Sequence, residues 1–296
     1  MEASASTTPR RPAAPGKRRR KGISPWVPNQ HGAWAMLISP AILGLIAGIV
    51  TWVREPVPGW QPVFVLPAVL IAWFFGYFAF FAFGLVAKAR TPERRAQYIT
   101  PVYVYGGVSL VGIAVALLLQ PVLLWWAIPF APMVAIAVWE TLQGRPRSTV
   151  SGVSTTVASA LLFPALVMVG QGIGATTPIA LPSFSWLSMA FLALYFTGTI
   201  PFVKTMIREK NNTRYLIGSI AYHVGAAMAM SVLVMMWRPG LVVAGLMLAT
   251  MLVALARACF IPWSAKKGEA WSARRVGMAE VPILLLACAA VLVTVT

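Results

Sequence analysis

The sequence predicts an all-α polytopic membrane protein with nine transmembrane helices, its amino terminus cytoplasmic and its carboxyl terminus outside. Three observations carry that prediction. Hydrophobic residues make up 59% of the 296 and charged residues only 10%, far too little charged surface for a soluble chain of this length. Apolar runs of about 20 residues, the length a bilayer core requires, recur nine times. The basic residues fall between those runs, and almost all fall on alternate connections.

The chain opens on a tail, residues 1–24, rich in Ala, Pro, Ser and Thr and carrying Arg10, Arg11, Lys17, Arg18, Arg19, Arg20 and Lys21. It has too little apolar surface to offset its ordering entropy, so it is expected to be disordered and to touch anionic lipid from the cytoplasmic side. Residues 25–296 are expected to form the transmembrane domain. Its entry, Pro25 to Met36, holds two prolines that restrict the chain and two tryptophans suited to the headgroup layer.

Expected spans are 33–53, 63–86, 101–119, 121–140, 150–170, 185–205, 216–236, 240–262 and 277–296. The breaks carry turn signals: Pro56-Val57-Pro58-Gly59, Gln120-Pro121, the 170–185 stretch, and Arg238-Pro239-Gly240. Spans three and four are joined so tightly that an antiparallel hairpin is expected. Gly44 and Gly48, four residues apart, predict a close helix contact.

Charge tests the topology. With nine spans, 22 of the 24 Lys and Arg residues fall on the side of the amino terminus, leaving Arg54 and Arg238 opposite. A different helix count would scatter them, so that side is read as cytoplasmic. The net charge of +17 is therefore topogenic and does not call for nucleic acid. The lipid bilayer is the expected partner, and a protein partner is left open. Cys259 and Cys288 lie in apolar runs and are expected as free thiols.

Ionisable groups in or near the spans are costly in lipid, which makes them candidates for function. His31, Glu140, His223 and Glu280 are the candidate acids and bases. Asn29, Gln30, Lys88, Arg90, Lys204, Arg208 and Arg257 are the candidate ligands of an anion or lipid headgroup. All lie toward the cytoplasmic ends: His223 about two turns into helix seven, Arg257 about one turn before the end of helix eight, and Glu280 one turn into helix nine. Plainer readings stand beside these. Lys88, Arg90 and Arg208 fit residues that snorkel to the interface. Arg257 and Glu280 fit an ion pair between helices eight and nine. His223 fits a single interhelical hydrogen bond, and Glu140 an interfacial residue. The two histidines have no cluster of further ligands, so neither metal nor haem is expected. Nucleotide-binding, serine-hydrolase and zinc-protease motifs are absent.

At Asn29-Gln30-His31-Gly32-Ala33-Trp34-Ala35-Met36, following Pro28, the sequence resembles the YwiC-like family of bacterial integral membrane proteins. The resemblance implies a multi-pass protein of the bacterial cytoplasmic membrane. It implies no chemistry, because the family is known as uncharacterised. A more distant resemblance is to the UbiA-type prenyltransferases, which also have nine helices with polar cytoplasmic loops after helices two and six. Here Ala89-Arg90-Thr91-Pro92-Glu93-Arg94-Arg95 is similar to the basic stretch that follows their first acidic motif. Those enzymes hold magnesium diphosphate with aspartates, and this chain has no aspartate. Aspartate-held magnesium diphosphate is therefore not expected. Lys88 and Lys204 or Arg208 occupy the corresponding regions and would hold an anion directly.

Three functions are consistent with this reading. The first is binding or modifying an anionic lipid or isoprenoid in a cavity open to the cytoplasm. The second is transport, with His223 and Glu280 as a proton-coupling pair. The third is a non-catalytic membrane subunit that docks a cytoplasmic partner. Whether the protein is an enzyme is left open.

Overall fold

The computed structural model describes residues 24–28, 31–55 and 59–295. Apart from Ser24, the expected tail lies outside these, as do Asn29, Gln30 and the side chain of His31. Nine helices follow in order: α1 (His31–Arg54), α2 (Gln61–Lys88), α3 (Pro92–Leu119), α4 (Ala127–Leu142), α5 (Thr149–Gly170), α6 (Ser183–Ile207), α7 (Thr213–Trp237), α8 (Leu241–Lys266) and α9 (Ala273–Val295). A 3₁₀ segment, Pro121–Trp126, leads into α4. Among the described residues there is no strand, and nine helices are long and apolar enough to cross a membrane. The protein is an all-helical, multi-pass membrane protein.

α5 is the axis of the fold. Every residue from Ala158 to Gly170 is buried, as expected for a helix that is apolar all round. α1, α4 and α6 pack around it. The α1 contact is close because glycine permits it. A Cβ placed on Gly44 would lie 2.8 Å from Leu166 Cδ1, and Gly170 backs directly onto Gly48. Near the start of α1, the Ser159 hydroxyl donates to the Met36 carbonyl. The Gly44–Gly48 contact is thus realised, and its partner is α5.

α2 and α3 form a closely packed hairpin. Ser109 Oγ donates to the Ala72 carbonyl at 2.8 Å. A Cβ on Gly112 would fall 2.6 Å from the Ala68 carbonyl oxygen. The expected hairpin between helices three and four is not formed, since α3 packs on α2 while α4 packs on α5. The cause lies at Gln120-Pro121. The Gln120 amide donates to the carbonyls of Met168 (3.1 Å) and Gly172 (2.9 Å) at the end of α5. The 3₁₀ segment that follows turns α4 away from α3.

Helix ends with a sequence signal are capped on the charge-rich side. Thr91, Ser148 and Asn212 side chains accept from backbone N–H groups in the first turns of α3, α5 and α7, satisfying otherwise orphaned donors. On the other side, Arg54 Nη1 donates to the Val295 carbonyl at 2.8 Å, tying the ends of α1 and α9 together. Several helices run further into the charged side than their apolar runs. α3 begins at Pro92, α9 begins at Ala273, and α8 continues to Lys266.

Candidate functional site

The longer helices place three of the candidates deeper than the sequence suggested. Arg257 lies nine residues before the end of α8, Glu280 seven after the start of α9, and His223 ten after the start of α7. At 1.5 Å per residue these are depths of roughly 10–15 Å. The three converge. Arg257 Nη1 pairs with Glu280 Oε2, Arg257 Nη2 lies 3.3 Å from His223 Nε2, and His223 Nδ1 lies 2.8 Å from the Ser219 carbonyl. Tyr195 on α6 completes the group, its hydroxyl donating to Glu280 Oε1 at 2.6 Å.

One polar network thus joins α6, α7, α8 and α9. The Arg257 side chain is only 3% exposed, and its guanidinium carbon sits 4.1 Å from the Phe202 ring centroid. A buried guanidinium is tolerated because one carboxylate balances its charge and an aromatic face receives it. Its Nε has no hydrogen-bond partner among the described residues. Gly198 lets α6 approach: a Cβ there would meet His223 Nε2 at 3.1 Å and Tyr222 Cε1 at 3.2 Å. Tyr195 carried no sequence signal as a site residue, because an isolated tyrosine in an apolar run reads as packing.

Beside this network, between α5, α6 and α7, lies a recess of about 570 Å³. Thr149, Arg214 and Tyr215 line it toward the charged end, and Thr197, Ser219 and Tyr222 line it toward the network. At the rim, Lys204 Nζ donates to Thr149 Oγ1 at 2.8 Å, and that hydroxyl lies 3.3 Å from the Tyr215 hydroxyl. Pro201, also on the wall, has no N–H, so the Thr197 carbonyl loses its regular helical donor. Ser219 Oγ is buried without a hydrogen-bond partner among the described residues.

The other candidates lie apart from these two features. Lys88 and Arg90 are exposed at the α2–α3 turn, and Arg208 is exposed at the end of α6, outside the recess lining. Glu140 is buried at the end of α4 and pairs at 3.0 Å with Arg145, whose side chain is 64% exposed. The entry segment packs on the first helices: Trp26 and Trp34 make edge-to-face contacts with Tyr105 and Phe78. Arg214 on the recess wall was legible only as one more basic residue.

With this geometry in view, residues 27–167 match the family model of the YwiC-like proteins. This region is YwiC-like. The chain is also 26% identical over 198 residues to "Uncharacterized protein YwiC" of Bacillus subtilis, covering 67% of this chain and 74% of that one. It is 26% identical over 221 residues to an uncharacterized protein of Haemophilus influenzae, covering 73% and 84% respectively. No solved structure matches, so the resemblance to UbiA-type enzymes rests on the sequence features given above. The YwiC-like region contains α1 to α4 and most of α5. It contributes Thr149 and Val153 to the recess, while Tyr195, His223, Arg257 and Glu280 lie beyond it.

Proposed function

We propose that this YwiC-like protein is a multi-pass protein of the bacterial cytoplasmic membrane, with the basic side facing the cytoplasm. On this reading it binds the anionic headgroup of a lipid in the α5–α6–α7 recess. The observation that carries the proposal is the setting of Lys204. Its ammonium is held by the neutral hydroxyl of Thr149, and the one carboxylate whose charge reaches it, Glu209, accepts from the Asn212 amide and makes no ion pair with it. Arg214 lines the recess itself, whose rim Lys204 reaches through Thr149. Two cations beside hydroxyl donors, at the level where a helix bundle meets the headgroup layer, suit phosphate or another anionic oxygen group.

The test is native mass spectrometry of protein extracted from bilayers containing phosphatidylglycerol and phosphatidylcholine. The wild type is expected to retain the anionic lipid. Lys204→Ala combined with Arg214→Ala is expected to insert normally and to retain it roughly tenfold less, the effect of losing one or two charge-assisted hydrogen bonds. Equal retention by both proteins would overturn the reading.

A further inference from the structure

The polar network carries an inference independent of the recess and its lipid. We infer that Tyr195, Glu280, Arg257 and His223 form a proton-binding site within the membrane, at which a proton and the Arg257 guanidinium compete for the Nε2 lone pair of His223.

The hydrogen-bond chemistry leads there directly. The Ser219 carbonyl, 2.8 Å from His223 Nδ1, can only accept, so Nδ1 carries the hydrogen. Arg257 Nη2, 3.3 Å from Nε2, can only donate, so Nε2 presents a lone pair. The ring is therefore neutral and in one defined tautomer. A proton arriving at Nε2 removes the acceptor that Arg257 uses and sets two cations against each other. The guanidinium must then withdraw from the ring toward Glu280, which already holds its Nη1.

The surroundings leave few other outcomes. From α6, His223 meets the backbone of Gly198; Tyr195 reaches it only through Glu280 and Arg257. From its own helix come the Tyr222 ring, edge-to-face at 5.9 Å, and Ser219. From α8 comes Arg257, and from α9 Glu280, behind the guanidinium. Glu280 is thus the one acidic group in the network and Arg257 the one permanent cation. Ser219 and Tyr222 also line the recess, which brings its space within one hydrogen bond of the imidazole. Proton uptake would loosen the α7–α8 contact, the type of movement that couples protons to conformational change.

The chain has only two histidines, so ¹⁵N-histidine NMR of the full-length protein in micelles reads the site directly, with His31→Gln identifying the other resonance pair. At neutral pH, His223 is expected to be neutral, protonated on Nδ1 and bare on Nε2. On acidification, its protonation and a shift of the Arg257 side-chain resonances, read with ¹⁵N-arginine and assigned by their loss in Arg257→Gln, should share one midpoint. In Arg257→Gln the imidazolium should replace the guanidinium beside Glu280, so His223 titrates at higher pH than in the wild type. Three results would each overturn the inference: an Nε2-protonated or already cationic His223 at neutral pH, unrelated midpoints, or an unmoved titration in the variant. The wild-type tautomer and titration decide the matter even if Arg257→Gln fails to fold.

Discussion

Gly48 faces the backbone carbonyl of Leu166 so closely that a Cβ on the glycine would lie 2.5 Å from that oxygen and 3.0 Å from Leu66 Cδ2. Backbone meets backbone at this point, and no side-chain rotation relieves a substitution. Gly48→Val is expected to lower the unfolding free energy by at least about 1–3 kcal/mol, the usual range for overpacking. Gly107, with nothing within 4 Å of its would-be Cβ, is the control. Gly107→Ala should leave the thermal midpoint in micelles nearly unchanged, and equal losses at the two sites would refute the assignment.

Arg257 and Glu280 should be worth more as a pair than as individuals. Removing either alone, as Arg257→Met or Glu280→Leu, strands a buried charge and is expected to cost about 3–5 kcal/mol. The double variant leaves no charge behind and should cost far less than the sum. Detergent unfolding of the four proteins measures this directly, and additive losses would count against direct pairing.

The Glu140–Arg145 pair should behave differently. Arg145 is mostly in solvent, and its backbone N–H still donates to the Glu140 carbonyl at 2.8 Å without the side chain. Because Glu140 stays buried when its exposed partner is removed, Arg145→Ala is expected to cost about 1–2 kcal/mol, above an exposed pair and below the Arg257–Glu280 one. A loss several times larger in a thermal melt would assign the pair a role in the fold beyond closing the α4–α5 turn.

The entry segment is held by Tyr105, whose hydroxyl donates to the Trp26 carbonyl at 2.9 Å while its ring meets those of Trp26, Phe75 and Phe78. Tyr105→Phe keeps the ring contacts and removes the hydrogen bond, at an expected cost of about 1 kcal/mol. Limited proteolysis should cut near residues 24–28 several-fold faster in the variant, with the helices spared. An unchanged cleavage rate would leave the ring contacts as the whole of the attachment.

The helix count was legible in the sequence because lipid demands long apolar runs. The helix ends were less so. Thr91-Pro92-Glu93 starts α3 nine residues before its expected span, since a capped helix continues happily through polar residues once it leaves the bilayer core. The same continuation of α8 to Lys266 is why Arg257 lies deeper than expected. Helix neighbours were largely illegible. α5, α7 and α8 are apolar on every side and show no stripe that nominates a partner, so the meeting of His223 with Arg257 left no trace in either helix's pattern. The pairing of Arg257 with Glu280 was legible, because an unbalanced charge at that depth would be too costly. Tyr195, neutral and surrounded by apolar residues, was not.

The burial of α5 also constrains how the protein comes to be made. α6, one of the helices that enclose α5, is synthesised after it. When α5 leaves the ribosome, Ile200 of α6, which packs over Gly152, does not yet exist. Its row of Ser151, Ser154, Thr155 and Ser159 must meanwhile bond within its own backbone or face α1, as Ser159 does at Met36. α1 and α4 are already in place to receive α5, and α6 closes its remaining side only when it follows. A fragment ending at residue 167 would stop inside that helix, three residues short of Gly170, and would leave α5 held by α1 and α4 but open where α6 covers it.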